Sequence, residues 1–269
     1  MHDATFHLPW RFAAAAACRR ELASHQVNRF LQAHLTLAVV AGLLPLLTMG
    51  NELTAAPWWL LQAVLYGLSL SALLLGLSSA HGETEELALI FAQPIPRGAW
   101  LAGKAVGLAA VLLPAACLLA LPVALRNGLT LSLASVAAAA AGVTLVMALV
   151  GLALGCWVRD GVRGLIAGLL VWLVLLAGID LVAIALSATP LGPAAPDVIV
   201  ALMMANPLDA LRVGYLFALE QAAPAGLDSG GLSAWWVANS VLWLIVVLTV
   251  WCLGAFAAGL ASLNRSIDA

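Results

Sequence analysis

Apolar residues in this chain come in long uninterrupted runs, separated by short polar breaks. A span of about 20 such residues crosses ~30 Å of hydrocarbon at 1.5 Å per residue. The pattern predicts six spans, over 30–49, 58–80, 101–125, 131–158, 164–187 and 235–260. The runs lack two-residue alternation, which favours helices over a membrane barrel. Pro45 is expected to kink the first span, and Pro114 and Pro122 to break the third. Small pairs at Gly151/Gly155 and Gly164/Gly168 suit close helix approach. Trp58 and Trp59 suit a membrane interface.

Three polar stretches interrupt the pattern. Residues 8–28 are Ala-rich and basic, with Arg11, Arg19, Arg20, Glu21 and His25, and read as a helix lying in the interface. Residues 81–104 hold five charged side chains and a histidine in 24 positions, too polar for hydrocarbon. Residues 188–234 contain Pro190, Pro193, Pro196, Pro207 and Pro224 and form the longest non-spanning segment. Within it Asn206 caps, Pro207 suits a first turn, and Asp209 and Arg212 share a face, so a short helix is expected over 209–220.

Composition strengthens the membrane reading. Of 269 residues, 64% are hydrophobic and 9% charged, against roughly 25% charged in a soluble domain. Net charge of −2 decides little, but the placement of the positives decides orientation. With the N-terminus inside, inner segments hold Arg11, Arg19, Arg20, Arg29, Arg97, Lys104, Arg159, Arg163 and Arg265. Outer segments hold Arg126 and Arg212 alone. Nine against two puts both termini and the acidic island in the cytoplasm, and 188–234 outside. No cleavable signal peptide is expected, because charges flank both sides of the first Ala run.

The candidate chemistry is sparse. Gly98–Lys104, GAWLAGK, nearly matches a phosphate loop, but Ala105 stands where Ser or Thr would hold magnesium, and no strand precedes it. No catalytic residue and no metal site is assigned, and no nucleic-acid surface. Met203, Met204, Met49 and His34 are soft ligand types, though packing is the plainer role for adjacent methionines. Cys18, Cys117, Cys156 and Cys252 are scattered, with no paired spacing, and read as small hydrophobes. Asp180 is the exception, an acid deep within span five. It should face the bundle interior, be protonated or have a partner, and Arg212 is one candidate if the outer segment folds inward.

In the island, Glu83, Glu85 and Glu86 stand at the start of an expected helix, Leu87, Leu89, Ile90 and Phe91 follow, and Pro94 and Pro96 stop it before Arg97. An acidic start with an apolar patch suits a helix docking in a groove of a partner.

These segments together resemble the permease subunits of ABC-2 type ATP-binding-cassette transporters. Arg19-Arg20-Glu21-Leu22 is similar to that family's elbow-helix entry, with Arg20 where Lys is usual. Gly82-Glu83-x-Glu85, Pro94-Ile95-Pro96-Arg97 and Gly103-Lys104 resemble its first cytoplasmic loop, and Asn206-Pro207-x-Asp209-x-x-Arg212 resembles its segment before the last span. With Asp180, the combination is most similar to the NosY-type permeases, which serve copper-site maturation of nitrous oxide reductase.

The resemblance implies an all-α polytopic protein of a bacterial inner membrane, in three parts: an elbow helix over 1–29, a six-helix domain over 30–261 and a tail over 262–269. It implies a coupling helix within 81–98. It implies a homodimer with two cytosolic ATPase subunits that bind ATP and Mg, no cofactor on this chain, a periplasmic accessory protein and surrounding lipid. An exporter of a lipid, peptide or sulfur species is the alternative, and an intramembrane enzyme at Asp180 the remote one.

Overall fold

The computed structural model describes residues 9–25, 28–49, 53–84, 86–93, 95–189, 196–222 and 234–265. The described residues are helices, turns and short connections, with no strand among them. They include six helices long and apolar enough to cross a membrane, so the chain is an all-α multi-pass membrane protein.

In chain order the helices are α1 (Trp10–Ser24), α2 (Arg29–Thr48), α3 (Leu53–His81), α4 (Leu87–Phe91), α5 (Arg97–Asn127), α6 (Leu131–Trp157), α7 (Gly161–Ser187), α8 (Pro196–Met204), α9 (Pro207–Ala222) and α10 (Ala234–Arg265). Their starts have local causes. The Asn28 side chain accepts from Phe30 N at 2.8 Å, Thr130 accepts from Leu133 N at 3.2 Å, and Asp160 accepts from Arg163 N at 2.7 Å. Each satisfies an amide that has no intrahelical partner. Gly128, at φ +79°, ends α5 in a conformation that side chains other than glycine rarely adopt.

The expected break in span three is absent. Pro114 and Pro122 both lie inside the continuous helix α5. Each proline removes one backbone bond, but the remaining amides have no other partner in hydrocarbon, so the helix carries on.

The chain divides into two compact units, residues 1–168 with 254–269, and residues 169–253. In the first, α3 packs along α6 and α1 along α5, and α5 also touches α2 and α6. Glycines set these distances. A methyl group on Gly76 would strike the Ala148 carbonyl, and one on Gly151 the Leu73 carbonyl. Small residues let backbones approach where lipid supplies no hydrophobic drive. Gly103 and Gly107 of α5 likewise face Ala14, Ala17, Cys18 and Glu21 of α1. The Gly164/Gly168 pair meets the His81 ring and Leu73 of α3.

In the second unit, α8 and α9 are joined by a sharp bend, with 117° between 198–204 and 207–216. Neither helix spans ~30 Å of hydrocarbon by itself, α8 being about 14 Å and α9 about 24 Å long at 1.5 Å per residue. Met204 and Ala210 pack with Val247 of α10, covered by Val200, Val213, Trp243, Leu244 and Trp251. The indole N–H groups of Trp243 and Trp251 donate to the Met204 and Ala205 carbonyls, each at 2.9 Å. They satisfy carbonyls that the end of α8 leaves over.

Two spans contain a single π-turn, Val64–Leu68 in α3 and Val174–Gly178 in α7. The extra residue shifts the bonding register and frees a carbonyl. In α3 the Ser69 hydroxyl donates to the Leu65 carbonyl at 2.5 Å. In α7 the Asn206 amide donates to the Leu175 carbonyl, also at 2.5 Å.

Candidate functional site

Several charged groups of the first unit converge at one point. Lys104, on the second turn of α5, is fully buried, as is Glu21 of α1. Lys104 Nζ donates to Glu21 Oε2 at 2.5 Å and lies 3.1 Å from Glu83 Oε1. Glu21 Oε1 pairs with His25 Nε2 at 2.7 Å and accepts from the Ser79 hydroxyl at 2.5 Å. Four segments thus meet: α1, the end of α3, the acidic turn after it, and the start of α5. The notch that admits Glu21 is Gly107, whose neighbour on α1 is the Glu21 side chain itself.

The electrostatics follow from burial and partners. Burial by itself pushes the Glu21 carboxyl up. The His25 hydrogen bond, the Lys104 charge and the Ser79 hydroxyl outweigh burial and bring it down to about 2. Glu21 is therefore an anion at any physiological pH.

Arg20 extends the network outward. Its Nε lies 3.2 Å from Glu83 Oε1, and its Nη2 donates to Glu86 Oε2. The Glu86 hydrogen bond is the largest influence raising the Arg20 pKa further above its ordinary value. Glu83 Oε2 is buried and has no hydrogen-bond partner among the described residues. Glu86 and Glu83 differ in exposure, at 55% and 8% of their side chains.

The structure thus turns Glu83 inward, whereas the sequence suggested an outward acid at a helix start. The helix is also shorter than expected, a single turn over Leu87–Phe91. Leu89 is 69% exposed. Phe91 packs edge-on against Trp100 with ring centres 5.6 Å apart, and the Arg97 guanidinium sits 6.0 Å from the Phe91 ring. Arg97 also donates to Asn264 Oδ1 at 3.0 Å. Glu85 and Pro94 lie outside the described residues. Arg19 is exposed on α1.

Gly98–Lys104 is helix, the first turns of α5. Its amides are committed to helical bonding or the helix start, and its lysine to Glu21, so it is not the loop that cradles a phosphate.

A second polar cluster lies in the second unit. Arg212 Nη2 donates to Asp180 Oδ1 and, at 2.8 Å, to Asp209 Oδ1. Asp180, whose partner the sequence left open with Arg212 as one candidate, is thus paired with Arg212. Asn206 Nδ2 donates to Asp209 Oδ2 at 2.6 Å as well as to Leu175, while its Oδ1 accepts from Leu208 N at 3.2 Å. Every motif residue has a defined place here, with Pro207 opening α9.

No three His, Cys, Asp or Glu side chains converge as metal ligands among the described residues. Met204 is core, and His34 pairs its Nδ1 with Ser71 Oγ at 2.7 Å. The network around Lys104 was missed as a network in the sequence. Its signal was a small-residue stripe on α1, Ala13-Ala17-Glu21, opposite Gly103 and Gly107 beside a lysine.

No protein-family model matches this chain, and no curated protein matches it.

Proposed function

We propose that this chain is the membrane-spanning subunit of an ATP-binding-cassette transporter of the ABC-2 type. A separate cytosolic ATPase pushes on the turn between α3 and α5, and the spans carry that motion to the far face. In this reading α1 is the elbow helix and 81–98 holds the coupling helix. Two copies of the chain and two ATPase subunits make the working assembly in a bacterial inner membrane, with both termini in the cytoplasm.

One observation carries the reading. The acidic turn is anchored from beneath by Lys104 and from the side by Arg20, while Leu89 and Glu86 face outward. A handle needs both properties: a rigid root in the bundle and a free surface for a partner. The inward tie gives ATP-driven movement a path into α1 and α5, since a partner biases only a state whose contacts differ.

The branch serving copper-site maturation of nitrous oxide reductase is supported by the Asn206–Arg212 and Asp180 resemblance. It implies a periplasmic partner on the face bearing α8 and α9. Export of a lipid, peptide or sulfur species is the second reading. It is favoured by the broken pair α8–α9 with its charged bend, since discontinuous helices mark substrate sites in many transporters.

Co-purification with a candidate ABC ATPase co-expressed from the same genome tests the proposal. Glu86→Lys combined with Leu89→Asp abolishes capture of the ATPase while the membrane subunit still folds. Undiminished capture and undiminished stimulated hydrolysis overturn it.

A further inference from the structure

Among its described residues the docking turn holds one unsatisfied buried group, Glu83 Oε2, and its geometry suggests why. Arg20 uses adjacent nitrogens on two different acids, Nε on Glu83 Oε1 and Nη2 on Glu86 Oε2. Those same two nitrogens form the side-on fork that grips both oxygens of a single carboxylate. Glu83 already presents one oxygen to that fork. Its other oxygen, Oε2, is buried without a donor among the described residues.

The two acids are unequal. Glu86 is more than half exposed, and water solvates it whenever Arg20 leaves. Glu83 is almost fully buried, and Lys104 serves only its Oε1. A surface ion pair contributes little, whereas an orphaned buried acceptor is costly. The balance therefore favours Arg20 closing on Glu83 as soon as Glu86 is otherwise engaged.

We propose that Arg20 is a positioning residue with two settings. In one it is shared between Glu83 and Glu86, as in the structure. In the other its guanidinium closes on both oxygens of Glu83, and Glu86 is handed to a basic side chain of the docking partner. The turn stays rooted in both settings, so partner binding at Glu86 tightens the root rather than cutting it. The proposal rests on the docking reading of Glu86, but its test needs no ATPase.

The test uses the full chain in detergent, with Cys18, Cys117, Cys156 and Cys252 replaced and a nitroxide on Leu89→Cys. Side-chain mobility at the label is read by electron paramagnetic resonance. Glu83→Gln shifts the spectrum toward the mobile component, because the root is lost. Glu86→Gln leaves it at the parent value, because Arg20 closes on Glu83. Arg20→Lys keeps the charge but loses the fork, so Glu86→Gln in that background becomes mobile.

Two results overturn the proposal: Glu86→Gln alone loosening the label as much as Glu83→Gln, or the Arg20→Lys background staying as immobile as Arg20. If Glu83→Gln does not fold, the comparison of Arg20 with Lys at this surface position decides alone. Undiminished ATPase capture in the earlier experiment would overturn the docking reading but leave these outcomes unchanged, so the two readings fail separately.

Discussion

Lys104 Nζ sits 2.5 Å from Glu21 Oε2, and neither side chain reaches solvent. The pair joins α1 to α5 across 83 residues of sequence. Its strength as a joint comes from what breaking it leaves behind. Removing one partner of a buried pair strands a charge and costs about 3–5 kcal/mol.

Lys104→Met and Glu21→Gln each lower the melting temperature of the detergent-solubilised chain sharply. The double variant loses less than the sum of the two, because each single variant already removes the contact between them and it is lost only once. A thermal double-mutant cycle measures this. Additive losses would mean that the two side chains do not act as a pair.

The same carboxylate sets an acid limit. Glu21 has its pKa lowered from 4.5 to about 2. A lowered value means stability that is complete above about pH 4.5 and lost as pH falls toward 2. The full contribution is about 3 kcal/mol, at 1.36 kcal/mol per pH unit. Melting temperature followed from pH 6 down to pH 3 falls in that window, and Glu21→Gln flattens this part of the profile.

Close helix contact gives a steric prediction. Gly76→Leu and Gly151→Val push α3 from α6, because backbone lies where the new side chain must go. Both fail to yield a monodisperse protein. Gly98→Ala meets nothing within 4 Å and is helical, so it is tolerated, with a gain of about 0.5–1 kcal/mol. Size-exclusion profiles of the three variants separate the cases.

Asn206 is the link between the bend and the π-turn of α7. Asn206→Leu leaves the Leu175 carbonyl without its donor and costs about 1–3 kcal/mol. Arg212→Ala costs more, because it leaves Asp180 and Asp209 without their shared cation. Arg212→Lys restores part of the loss. Thermal melts rank the three, and Arg212→Ala, Asp180→Asn recovers stability over Arg212→Ala alone by removing one unpaired acid.

The α7 acid illustrates how far sequence reasoning reaches. An ionisable group inside an apolar run must turn inward, take up a proton or find a partner, so Asp180 stood out in the sequence itself. Arg212 was a reasonable answer because it stands on a predicted helix with few other cations nearby. Glu83 illustrates the opposite. Its position after a span and before an apolar patch suited an outward acid, and nothing local revealed that Lys104 lies beneath it.

What the amino-acid order determined was the set of spanning helices, the asymmetry of the positives and the requirement that Asp180 be neutralised. Those follow from local rules: hydrocarbon leaves a backbone no partner but itself, and run length alone decides whether a segment crosses. What the folded arrangement alone decided was which charges meet. Glu21, Glu83 and Lys104 come together because glycine notches on α5 admit α1. That contact depends on the shapes of two helix surfaces far apart in the chain, and no periodicity within either helix encodes the fit between them.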